Sequence, residues 1–212
     1  MIRLDGRRLN ELRPIKIYKN LILSASSSNQ LCIGSTSVIV AVFNKLNPDK
    51  EKKKLELEVD SFDKLCRMET LNTCKVGTDI ILKENLNLLY EYDITINIFV
   101  IEDDGNLLTV LLNAISQGLK DLQFLKSKEI IFCTIGITKK NKDICIDPSN
   151  FEIEFLEQEI CYAILYDTFN KKLKFYQILK LLSEKKMKNK KISKNSQKLI
   201  IEFGFYLFKV FN

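Results

Sequence analysis

Residues 93–120, DITINIFVIEDDGNLLTVLLNAISQGLK, decide the fold. Residues 93–101 are dense in β-branched side chains, which pack well on a pleated surface, and they predict a strand. The acidic EDDG that follows reads as a turn. From 106 to 119 the chain is apolar nearly all round, the pattern of a central buried helix, capped by Asp104 or Asn106.

Upstream, residues 3–14 form a charged leader whose DGR tripeptide suits a turn. Residues 15–24 alternate apolar with polar, SSSN at 26–29 reads as a turn, and 30–43 end in the β-branched run SVIVAVF, so a hairpin is predicted. LELEV at 55–59 alternates strictly and predicts a third strand. Residues 63–83 place Leu65, Met68, Leu71, Val76, Ile80 and Ile81 at near-helical spacing, a helix weakened by Gly77.

Downstream, 130–138 and 144–146 predict a hairpin around the turn KKNKD, closed by Asp147-Pro148. Residues 155–169 fit helix or strand by pattern alone. Residues 173–181 read as a strand, a basic loop follows at 184–194, and a C-terminal amphipathic helix at about 195–211 buries Leu199, Ile200, Phe203, Leu207, Val210 and Phe211. Strands mixed with a few helices, without βαβ alternation, indicate a single α+β domain over residues 1–212.

The composition narrows the chemistry. A chain of 212 residues with 46% hydrophobic content is large enough for an ordinary core. The net charge of +6 is local: residues 184–198 hold seven Lys and one Glu, which leaves 26 basic and 26 acidic residues elsewhere. An RNA-binding argument from charge therefore rests on that segment, with a flexible solvated loop as the competing reading. All five arginines, Arg3, Arg7, Arg8, Arg13 and Arg67, precede residue 68, so any bidentate fork on a phosphate must come from there.

Histidine is absent, which excludes Ser-His-Asp and Cys-His nucleophile systems and His-ligated metals within this chain. Six cysteines without a CxxC pair read as buried, reduced thiols of an intracellular protein. The N-terminus lacks an apolar signal region, and no stretch reads as a membrane span. Asp103 and Asp104 read as turn and cap in preference to a metal pair. Glu152, Glu154, Glu157 and Glu159 alternate with Ile153 and Phe155 and read as a solvated face. Arg7, Arg8 and Arg13 are expected to fix the leader against neighbouring structure.

Four stretches in order, over roughly residues 3–170, resemble the RNase PH family, in particular the ring subunits of the RNA exosome. They are Arg3-Leu4-Asp5-Gly6-Arg7-Arg8 with Glu11-Leu12-Arg13-Pro14-Ile15, then SSSNQLCIGSTSVIVAVF with its Gly34-Ser35-Thr36, then residues 94–121, and finally ICIDPSNFEIEFLEQEICYAI. The resemblance implies an RNase PH-like α+β fold, the ribosomal protein S5 domain 2-like arrangement, and favours strand for CYAILYD. The leader and length are closest to the subclass of the archaeal catalytic subunit and its inactive eukaryotic descendants.

Active members are phosphorolytic 3′→5′ exoribonucleases, whose site must hold inorganic phosphate beside a phosphodiester and supply a carboxylate. This chain departs from that pattern. Leu108 stands where active relatives place the arginine of Gly-Thr-Arg, and Cys74 stands at a second arginine position, with Lys75 beside it. Ile153 occupies one expected acidic position, while Glu159 retains the other.

The resemblance thus implies a non-catalytic ring subunit without a cofactor. Its partners would be RNase PH-like ring subunits, cap subunits, associated nucleases and single-stranded RNA, and its location nuclear, nucleolar and cytoplasmic. Arg67, Lys75 and Lys83 would face the RNA path, a solvated helix face being the alternative. An active phosphate-dependent exoribonuclease using Glu159 and Lys75, or a stand-alone basic RNA-binding module, are the competing functions.

Overall fold

A computed structural model of the chain describes residues 3, 5–46, 55–60, 75, 77, 78, 81, 92–122, 128–167 and 172–181. The described strands form two sheets. The first runs β1 (Ile15–Lys19), β2 (Ser27–Ile33), β3 (Thr36–Leu46), β5 (Tyr92–Glu102) and β4 (Leu55–Asp60) in spatial order, antiparallel except for the parallel β4–β5 pair. The second, antiparallel throughout, runs β7 (Ile144–Ile146), β6 (Lys128–Thr138), β8 (Leu156–Asp167) and β9 (Lys172–Leu181).

Helix α1 (Leu107–Asp121) lies in the core and touches both sheets, and a short α2 (Asn150–Ile153) leads into β8. Alternation sets the packing of the first sheet: Leu31 and Ile33, Val38, Val40 and Val42, and Ile94, Ile96 and Ile98 are all buried in the same core as α1. Burying branched side chains of this kind contributes roughly 1.5–3 kcal/mol each.

The polar residues of α1 explain its place between the sheets. β7 pairs with β6 at residues 135–137, and among the described residues no strand covers that edge of β6 earlier in the strand. The Asn113 amide closes it like a strand residue. Its Nδ2 donates to the Phe132 carbonyl at 2.9 Å and its Oδ1 accepts the Phe132 N–H at 2.9 Å. Ser116 Oγ donates to the Ile130 carbonyl at 2.8 Å, and Thr109 Oγ1 meets Thr134 Oγ1 at 2.7 Å. Spacings of four and three residues put these side chains on one face of the helix. Across the helix, Asn29 Nδ2 donates to the Ala114 carbonyl at 3.0 Å.

Most expected elements are present, with four corrections. The SSSN stretch is no turn: Ser27, Ser28 and Asn29 are buried strand residues, and β2 and β3 are separated by the tight turn Gly34-Ser35, where Gly34 has φ 61°. There a side chain would also press on Arg13, whose Cδ lies 2.4 Å from an added Cβ.

α1 has no side-chain cap, because Asn106 and Asp104 direct their side chains to Asp147 and Arg13. Gly77 is a close-approach site and no simple weakness, since a Cβ there would stand 2.4 Å from Leu112 Cδ2. The glutamates do not form one solvated face: Glu152 and Glu159 are buried.

Residues 155–169, ambiguous by pattern, form strand over most of their length in β8. Cys133, Cys145 and Cys161 are buried free thiols and Cys32 is half-buried. Among the described residues no helix is long and apolar enough to cross a membrane. The basic loop at 184–194 and the helix at 195–211 lie outside the described residues, as do Cys66, Arg67, Cys74 and Lys83.

Replacing Asn113 with the similarly sized Leu strands the Phe132 N–H and C=O in an apolar setting. We expect a loss of about 2–4 kcal/mol in urea-induced unfolding, far more than a surface substitution gives.

Candidate functional site

The leader is held by arginine–carboxylate pairs. Arg3 is 1% exposed. Its guanidinium donates to both carboxylate oxygens of Glu152, at 2.6 and 2.5 Å, and to the carbonyls of Ile146 at 2.8 Å and Asp147 at 2.7 Å. Arg13 grips Asp147 in the same forked manner, at 2.9 and 2.6 Å, and its backbone N–H donates to Asp147 Oδ2 at 3.0 Å. Its remaining donors reach the carbonyls of Asp104 at 2.7 Å and Gly105 at 3.2 Å.

Arg7 pairs with Asp5 at 2.5 Å and approaches Asp147 at 3.3 Å. Arg8 is solvated, with Glu11 at 3.8 Å, so of the three arginines expected to fix the leader only Arg7 and Arg13 do. Arg3 supplies the anchor that the sequence reading missed. Burial alone would raise the Glu152 carboxyl, but the Arg3 fork, the Ser149 N–H and the nearby arginine charges outweigh it and hold the group below its ordinary range.

These pairs converge on the head of α1. Asn106 Nδ2 donates to Asp147 Oδ1 at 2.7 Å. Thr36 Oγ1 donates to the Gly105 carbonyl at 2.7 Å and accepts the Asp104 N–H at 3.0 Å, which gives the Gly34-Ser35-Thr36 motif its structural role. Gly105 has φ 85°, and an added Cβ would lie 2.6 Å from the backbone of Ser149 and Asn150, so only glycine lets this turn meet the segment after Asp147. Asp103 Oδ1 accepts the Gly105 N–H at 2.9 Å, as the turn reading expects.

The positions where active relatives carry chemistry surround this head. Leu108 sits in the first turn of α1 and is 9% exposed. Thr109 ties that turn to Thr134 of β6, which pairs with Cys161 of β8. Glu159, two residues before Cys161, is thereby brought to the same end of the helix, 6% exposed. Ile153 is half-buried at the end of α2, and Lys75 is exposed on a helical segment.

Burial, reinforced by the charge of Asp103, pushes the Glu159 carboxyl up from 4.5 to about 7. Burial and the Asp104 charge also raise Asp103, against the Gly105 N–H and Arg13, which oppose them. A carboxyl that titrates near neutrality can hold or release a proton, but the charge acting on it here is of its own sign.

Two sheets around a shared buried helix, with a leader latched to the helix head by forked arginines, define an RNase PH-like α+β fold. Residues 11–124 match the 3′ exoribonuclease family, domain 1 (RNase PH), and the chain belongs to that family. It is similar to the exosome complex component Rrp41 of Archaeoglobus fulgidus, 29% identical over 182 residues that cover 77% of this chain and 69% of that protein.

In structure it resembles rice (Oryza sativa) Rrp46, with a TM-score of 0.65, 20% identity and coverage of 99% of this chain and 96% of that one. It likewise resembles a chain of the Archaeoglobus fulgidus exosome with RNA bound to the active site, with a TM-score of 0.64, 19% identity and coverage of 99% and 92%. At these identities the structural likeness is one of fold.

The folded chain holds the Glu159 proton that the unfolded chain releases near 4.5. Stability should therefore fall as pH rises from about 4.5 to about 7, by about 3 kcal/mol, and level off above it. Urea midpoints across this range should show the slope in the native chain and its loss in Glu159→Gln, which should be the more stable of the two at pH 8.

Proposed function

We propose that this chain is a non-catalytic RNase PH-like subunit of an exosome core ring, which scaffolds the ring and guides single-stranded RNA for 3′–5′ processing and degradation. The supporting observation is the commitment of its described arginines. Arg3, Arg7 and Arg13 are paired with Glu152, Asp5 and Asp147, Arg8 is solvated beside Glu11, and the helix head carries Leu108 in place of a cation. Phosphorolysis requires inorganic phosphate beside an anionic phosphodiester, and the apolar Leu108 at the helix head supplies no fork to hold either anion.

The reading carries partners with it: RNase PH-like ring subunits, cap subunits and associated nucleases, in the nucleus, nucleolus and cytoplasm. Lys75, exposed on its helix, suits a sequence-independent contact with an RNA phosphate.

One observation favours a second reading, an active phosphate-dependent exoribonuclease. Glu159 titrates near 7, where a general acid or base works best. Against it, Lys75 offers a point charge and no fork.

Reconstitution decides between them. Co-expressed with RNase PH-like subunits, the chain should assemble with them and release no nucleoside diphosphate from RNA when phosphate is added. Phosphate-dependent release that Glu159→Gln abolishes would overturn the non-catalytic reading. In the assembled ring, Lys75→Ala should weaken RNA binding a few-fold and reduce the salt dependence by about one counterion.

A further inference from the structure

The leader is buried through its charges. Of its described residues the buried ones are Arg3 and Arg13, whereas Leu9 and Leu12 are half-buried and Arg8, Glu11 and Pro14 are exposed. Its seam with residues 146–152 consists of the Arg3–Glu152 and Arg13–Asp147 forks, the Ile146 N–H on the Leu9 carbonyl at 2.8 Å, and Arg3 donors on the Ile146 and Asp147 carbonyls.

Contacts of this kind fix the closed position but resist opening weakly. Parting the seam returns both members of each ion pair to water, so recovered hydration offsets much of the lost attraction, and the apolar burial that would resist opening is sparse on the leader. Strain acts in the same direction. Asp147 has φ 52° before Pro148, outside the extended region that the following ring favours, and opening lets it relax. In the closed form Arg7 Nη2 is also buried without a hydrogen-bond partner.

We propose that the leader is a strap that lifts off residues 146–152 as one unit while both sheets stay folded, and that a phosphate-bearing anion captures its freed guanidinium groups. Arg3, Arg7, Arg8 and Arg13 lie close together in the chain, and a guanidinium fork matches phosphate oxygens as well as it matches a carboxylate. In the closed form Glu152 and Asp147 hold Arg3 and Arg13, so these two carboxylates compete with the anion for them. A ligand that binds only the lifted form shifts the population toward it. Lifting places no cation at Leu108 and requires no neighbouring subunit, so it is a property of the chain by itself.

The test is amide hydrogen exchange by NMR on the full chain. The Arg13 and Ile146 amides bond across the seam to Asp147 Oδ2 and the Leu9 carbonyl, and the Phe132 amide, bonded to Asn113, reports on the core. The two seam amides should exchange together, at least about tenfold faster than Phe132. Sodium tripolyphosphate should speed both by a further factor of about ten where the free ligand is about tenfold above its dissociation constant, and leave Phe132 unchanged. Sodium chloride at matched ionic strength should not. A short oligouridylate run in parallel shows whether a free polyphosphate or an RNA phosphodiester is the stronger source of the anion. Glu152→Gln should lift the strap more often and tighten tripolyphosphate binding about several-fold, whereas Glu11→Gln, which removes the same charge from the exposed side of the leader, should not. Seam amides that exchange only together with Phe132, an equal effect of sodium chloride, or equal tightening by the two substitutions would each overturn the proposal.

Discussion

The buried pair between Arg13 and Asp147 holds the rest of the structure in register. Asp147 is fully buried and accepts from the Arg13 fork, the Arg13 backbone and the Asn106 amide. Through that one carboxylate the start of β1, the end of β7 and the head of α1 meet. Asp147 also carries φ 52° directly before Pro148, a conformation that the following ring disfavours. Such strain persists where surrounding contacts over-determine it, and four converging hydrogen bonds do so here. A pair of this kind adds little net stability over an apolar substitute, but removing one partner leaves an uncompensated charge, so it specifies geometry more than it adds energy.

The same corner shows how one residue type acquires opposite properties. Glu152 receives a guanidinium and is held ionised, whereas Glu159 receives only a like charge and holds its proton to about pH 7. Both lie in one short glutamate-rich stretch. The difference comes from what the fold brings to each of them from more than a hundred residues away in one case and from the neighbouring turn in the other. With Leu108 at the helix head in place of a cation, the site offers no fork to a phosphate, which ties the functional reading to the missing arginine.

Much of the fold was legible because it follows from periodicity. The β-branched run of β5, the apolar length of α1 and the alternation of β4 each point to one structure. The errors arose where polar residues are buried. Ser27, Ser28 and Asn29 read as a turn, yet they face tertiary partners, such as the Ala114 carbonyl for Asn29, that no local window contains. Asn106 and Asp104 read as caps, but stronger partners in Asp147 and Arg13 take their side chains. Gly77 read as a weak point in a helix, whereas its missing side chain makes room for Leu112.

The sequence by itself determined the α+β class, the strands at β4 and β5 and the helix head lacking arginine, because hydrophobic period and residue identity are local properties. It also limited forked phosphate contacts to five arginines. Only the tertiary structure decided that Arg3, Arg7 and Arg13 belong to carboxylates and that Glu159 is buried without an arginine partner among the described residues. Ion pairs and burial depend on distance and desolvation, which are set when segments far apart in the chain are packed together.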